Sequence, residues 1–226
     1  MKAAATATVG VAGLIGSSGT AAAGTLAQTD APDDYPRVST RGHFNSDANL
    51  INGNNQWNYD IEGNFWNYHN GGEDLTIFVH GFLNGDDDAI LLPQAMNAAY
   101  EADLALQNNG HDEFVVCYSW DSDEGRSLDA GWSDAKDIAD RQGRKLGNFI
   151  TWWNNNVGTN VNIVCHSLGA RVVGSTLNAL RTDWGAWRAV DNVALLGGAV
   201  YKGTPAWDGD YGYDMYYTAN NTYNFY

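Results

Sequence analysis

Hydrophobic positions between residues 75 and 200 alternate between two kinds of run. LTIFVHGF (75–82), FVVCYSW (114–120), VNIVC (161–165) and VDNVALLGGAV (190–200) are short and nearly continuously apolar. That is the pattern of strands covered on both faces. The runs between them have helical spacing. DDDAILLPQAMNAAYEADLALQNN (86–109) opens with three acids that favour a helix N-terminus. Over 127–157, Trp132, Ala135, Ala139, Leu146, Ile150 and Trp153 recur three or four apart except near Gly143, which predicts one long helix. LGARVVGSTLNALR (168–181) predicts another. Strands separated by helices in this way specify an α/β fold: a mostly parallel sheet with helices on both faces.

The flanks read differently. PRVSTRGHF (36–44) and NYDIEGNFWNY (58–68) are strand-like and separated by NSDANLINGNNQ, whose Asn-Gly and Asn-Asn pairs mark turns. They are expected to pair antiparallel at the N-terminal edge of the sheet. Residues 201–221 read as an aromatic loop, and TYNFY (222–226) as one more strand. Residues 25–34 are polar and proline-containing, a linker, so the folded domain is expected over 35–226. Residues 1–24, MKAAATATVGVAGLIGSSGTAAAG, are small, apolar and free of acids, and AAAG fits a cleavage site, so a signal-peptide-like segment and a secreted or cell-surface protein are expected. Its charged region is only Met1 and Lys2; a twin-arginine signal starting upstream would supply the rest, and a plain Ala/Gly tail is the alternative. The segment is too rich in Gly, Ser and Thr to be a stable membrane span.

Composition narrows the partners. The 226 residues fit one domain, and 27 acids against 12 bases give a formal net charge of −15, which argues against nucleic acid or an anionic membrane. Nine Trp, twelve Tyr and seven Phe are too many for a disordered acidic chain. An excess of Asp, 22 of the 27 acids, with few Lys resembles the surfaces of salt-adapted proteins from halophilic archaea. Cys117 and Cys165 are too few for a disulfide scaffold and have no zinc spacing. DSDEG (121–125) lacks a full calcium-loop pattern, so no metal site is expected. Asn220-Asn221-Thr222 matches a glycosylation acceptor, a common chance match.

The chemistry gathers around CHSLG (165–169). An apolar strand runs directly into Ser167 and then into a helix, the setting in which a serine sits exposed on a sharp turn with small residues two before and two after it, here Cys165 and Gly169. Such a serine needs two backbone N–H donors for the oxyanion of a tetrahedral intermediate. One is the residue after it, Leu168. The other comes from the loop after an earlier central strand, where His80-Gly81-Phe82 ends LTIFV, Gly81 frees the backbone and Phe82 carries the N–H.

With these residues in place the chain resembles the α/β-hydrolase superfamily. FVHGF and CHSLGA are similar to lipases whose oxyanion loop carries His-Gly-Phe and whose elbow reads Gly-His-Ser-Leu-Gly-Ala; Cys165 in place of the first Gly is a departure. The resemblance covers residues 75–200. It implies Ser167 as nucleophile, Phe82 and Leu168 as oxyanion donors, Gly81 and Gly169 as loop and elbow glycines, no cofactor, and a small-molecule or lipid ester as substrate. It also places the strands of Cys117 and Cys165 on either side of the His80 strand, about 10 Å apart and too far for a disulfide.

The base and the acid are missing from their expected places. The resemblance gives His80 and His166 structural roles, and His43, His69 and His111 lie on the opening strands or at the far end of the sheet. Asp208, Asp210 and Asp214 are outside candidates for the acid, with solvated surface charge as the plainer reading. The expectation is therefore a serine esterase or lipase whose acid and histidine follow Tyr226, with the last strands missing and this chain nearly inactive. The alternatives are a non-catalytic binding domain of the same fold, or a serine hydrolase acting on amide or peptide bonds.

Overall fold

The computed structural model describes residues 30–83, 88–123, 128–201 and 203–225. The expected export segment, the first half of the linker (25–29), and Asp86 and Asp87 lie outside the described residues. In chain order the elements are β1 (Arg37–Ser39), β2 (Asp60–Glu62), α1 (Phe65–Tyr68), β3 (Leu75–Val79), α2 (Asp88–Asn108), β4 (Phe114–Ser119), α3 (Leu128–Arg141), α4 (Gly143–Asn156), β5 (Val161–His166), α5 (Gly169–Trp184), β6 (Val190–Leu196), α6 (Gly212–Thr218) and β7 (Ala219–Phe225). The strands form one sheet in the order β2-β1-β4-β3-β5-β6-β7. Every pairing is parallel except β1 with β2.

The continuous apolar runs sit where both sheet faces are covered. All residues of β3 and β4 are buried. Phe78 and Cys117 face one side, against Ala95, Met96 and Ala99 of α2 and against Tyr35. Ile77, Val79, Val116, Ile163 and Cys165 face the other, in a core with Leu146, Phe149 and Trp153 of α4 and Val172, Val173 and Leu177 of α5. The two thiols are thus one strand apart on either side of β3, on opposite faces, and both are free. Burial pushes both up, Cys117 to about 12. No helix among the described residues is long and apolar enough to cross a membrane.

Val79 is in register with both Tyr118 and Cys165. His80, Ser119 and His166 therefore emerge side by side at one edge of the sheet. That edge carries the site.

Four expectations are refined. The opening pair is antiparallel, but β1 itself runs parallel to β4, so only β2 is reversed. NYDIEGNFWNY contributes just three strand residues; after Gly63 the chain turns into α1, which drives Phe65 to 5.0 Å from the Phe114 ring. The single helix over 127–157 is two helices meeting at Gln142. Gln142 is fully buried there and its Oε1 accepts hydrogen bonds from Thr40 Oγ1 (2.9 Å) and Tyr118 Oη (2.8 Å), which anchors the junction to the ends of β1 and β4. The aromatic loop contains α6, with Met215 and Thr218 buried and Tyr213 and Tyr216 exposed.

Candidate active site

β5 delivers the chain to Ser167 at the sheet edge. Ser167 has φ +51°, a left-handed backbone that a side-chain-bearing residue adopts only when its surroundings hold it there. Three hydrogen bonds do so: Ser167 N–H donates to Leu196 O (3.0 Å), and Ser167 O accepts from Ala170 N–H (3.1 Å) and Ala199 N–H (2.8 Å). The chain enters α5 two residues later, so the sixteen-residue helix directs its N-terminal partial positive charge at the turn.

Two glycines let this turn meet the end of β3. A methyl group at Gly81 would stand 2.9 Å from Ser167 Cβ and 3.0 Å from His166 O. One at Gly169 would stand 2.5 Å from Val79 O and 2.8 Å from His80 O. The structure thus brings Gly81, Ser167 and Gly169 into direct apposition, with Phe82 and Leu168 the next residues along each strand exit. Neither the Phe82 nor the Leu168 N–H has an acceptor among the described residues, and Ser167 Oγ likewise has no partner there. The Phe82 ring packs edge-on against Trp132 at 5.5 Å.

The histidines divide by what holds them. His80 is buried, with Nδ1 2.8 Å from Gly81 O and Nε2 accepting the Trp120 N–H at 3.2 Å. His166 is half-buried, its Nδ1 lying over Gly81, and burial lowers its pKa. His43 bridges Lys145 Nζ (2.9 Å) and Asp60 (3.0 Å), and burial lowers it as well. His69 packs between Phe114 and Trp153 at the opposite end of the sheet, and His111 is exposed just before β4. Of the candidate acids, Asp214 is buried and tied to α5 by ion pairing with Arg181 and a 3.0 Å bond from Asn178 Nδ2, while Asp208 and Asp210 are exposed.

Sequence reasoning weighed DSDEG (121–125) only as a metal site and missed what the segment after β4 does. Trp120, Asp121 and Ser122 hold two neighbouring loops. Ser122 Oγ accepts the Leu83 N–H (3.1 Å), and the buried Asp121 carboxylate accepts the N–H groups of Gly42, His43 and Phe44 at 2.7, 3.1 and 3.0 Å. The available signal was a run of polar residues directly after a fully apolar strand.

The parallel sheet with helices on both faces, the serine turn after central β5 and the glycine loop after β3 define the α/β-hydrolase fold. The chain belongs to the family described as "Alpha/beta hydrolase of unknown function (DUF900)", whose model matches residues 66–200, more than half of the chain and inclusive of both turns. No curated protein matches it.

Proposed function

We propose that this protein is a serine hydrolase of esterase or lipase type. Ser167 attacks the carbonyl carbon of a carboxylic ester, the Phe82 and Leu168 N–H groups receive the oxyanion, and the alcohol leaves to give an acyl-enzyme that water then hydrolyses. The observation that carries this reading is the left-handed turn at Ser167 in contact with Gly81, with two backbone donors and the serine hydroxyl all lacking partners among the described residues. His43 and His80 use both ring nitrogens elsewhere, and His69 and His111 stand at the other end of the sheet, so none of these four is the proton acceptor of this reading. The acidic surface and the small-residue N-terminal segment support an exported, salt-adapted protein.

A fluorophosphonate probe applied to the protein purified from its native host tests this. Labelling mapped to Ser167, and loss of p-nitrophenyl ester hydrolysis by roughly a millionfold in Ser167→Ala, are expected. Labelling of another serine, or equal turnover by Ser167→Ala, would overturn the assignment. A protein that neither labels nor hydrolyses would instead be the non-catalytic binding domain, a reading favoured by the engagement of both ring nitrogens of His43 and His80. Comparing matched esters and anilides separates ester from amide specificity, since the same turn serves both.

A further inference from the structure

The peptide groups beside Ser167 are aimed from behind by two side chains that do not themselves reach a substrate. Trp120 N–H donates to His80 Nε2 at 3.2 Å, so the neutral imidazole carries its hydrogen on Nδ1. That Nδ1–H donates to Gly81 O at 2.8 Å. In a trans peptide the C=O and the following N–H point to opposite sides, so turning Gly81 O inward to His80 turns the Phe82 N–H outward. The preceding peptide is held by the same pair: the Trp120 indole Nε1–H donates to His80 O at 3.0 Å, and the two rings stack 5.6 Å apart with 19° between their planes. The Leu83 N–H is occupied by Ser122 Oγ. Phe82 is thus left with the N–H that has no acceptor among the described residues.

We propose that His80 and Trp120 are positioning residues that fix the Gly81–Phe82 peptide so that the Phe82 N–H meets the oxyanion, a role that rests on the reading of Ser167 as nucleophile. The device requires a neutral imidazole, because a protonated one would set Nε2–H against the Trp120 N–H. Burial supplies that condition: it pushes His80 down to about 3, the positive Arg41 adding to the effect and the bond to Gly81 opposing it. Both residues are essentially inaccessible, Trp120 at 0% and His80 at 2% exposure, so neither contacts a substrate.

Two measurements on the full gene product test this. In the first, p-nitrophenyl butyrate hydrolysis is followed for His80→Phe, which has no donor for Gly81 O, and for His80→Asn, whose amide N–H can replace Nδ1–H. His80→Phe is expected to lose roughly a hundredfold in kcat with KM within about twofold, the pattern of a lost oxyanion interaction. His80→Asn is expected to recover at least a tenfold share of that loss. Unchanged kcat in His80→Phe, or equal losses in both variants, overturns the proposal. The second needs no variant that might fail to fold: ¹⁵N NMR of the wild-type imidazole should give the Nδ1–H tautomer, constant from pH 5 to 8. An Nε2–H tautomer, or titration near 6.5, overturns it. Ser167→Ala separates the two claims. If it retains hydrolysis, the nucleophile assignment falls while the tautomer result stands. If it abolishes hydrolysis and His80→Phe does not, the positioning role alone falls.

Discussion

Ser167 shows how one residue can be held against its own preference. A left-handed backbone costs a non-glycine residue about 1–2 kcal/mol, and the bonds to Leu196, Ala170 and Ala199 are what keep it there. His80 stores its cost differently, as a buried imidazole kept neutral. Its sign with pH follows directly. The unfolded histidine binds a proton below about 6.5 and the folded one does not until about pH 3, so the unfolded state binds more protons between these values and stability falls as pH falls. The slope from this residue approaches about 1.4 kcal/mol per pH unit, and the lowered His43 and His166 add to it in the same direction. Urea unfolding midpoints should therefore drop from pH 7 to pH 4.5, with a smaller drop in His80→Asn; equal slopes in the two proteins would show that His80 is not the group titrating. The apposition of Gly81 and Gly169 with the turn at Ser167 was legible because such turns depend on short-range sequence chemistry. The tautomer of His80 could not be read that way, since it is set by Trp120, forty residues away.

At the scale of elements, the sheet edge next to the site is assembled by charges buried under a long polar segment. Lys145 on α4 is fully buried, and its ammonium contacts His43 Nδ1 (2.9 Å), Asn55 O (2.6 Å), Asn58 O (3.0 Å) and Asn58 Oδ1 (3.0 Å). Asp121 holds the near end of the same segment at residues 42–44. These contacts replace the apolar packing that residues 45–58, rich in Asn, cannot provide. Lys145→Met removes the ammonium and leaves the buried His43 Nδ1 and the part-buried carbonyls of Asn55 and Asn58 without it, so a loss of roughly 1–3 kcal/mol is expected. Thermolysin should then cut within 45–59 ahead of the rest of the chain; unchanged midpoint and cleavage would show that other contacts hold the segment. The central strands and α2 and α5 were legible because burial imposes a continuous or periodic apolar pattern. The helix α6 was not, because its solvent face carries Tyr213 and Tyr216 and the amphipathic contrast is lost. Residues 127–157 gave the right helical face but not the junction at Gln142, whose anchors Thr40 and Tyr118 come from distant strands.

At the scale of the whole molecule, the unresolved balance is electrostatic. Twenty-seven acids face twelve bases, and much of the positive charge is already committed: Arg37 to Glu62, Arg41 to Asp123, Arg144 to Asp183, Arg171 to Asp140 and Arg181 to Asp214. Each such pair neutralises one acid and leaves the surplus on the surface without a cation of the chain to answer it. In dilute buffer that surplus repels itself across the fold, because the Debye length is about 10 Å at 0.1 M; at 1 M it is about 3 Å and the repulsion is confined to near neighbours. The urea midpoint should accordingly rise steeply between 0.1 and 2 M KCl. Salt also strengthens apolar burial, so the slope alone does not identify screening. Replacing the exposed Asp208 and Asp210 by Asn removes charge and leaves the core untouched. If screening is the cause, this variant is more stable than the parent at low salt and converges with it at 2 M KCl; parallel curves would assign the salt effect to the core and withdraw the case for a salt-adapted surface.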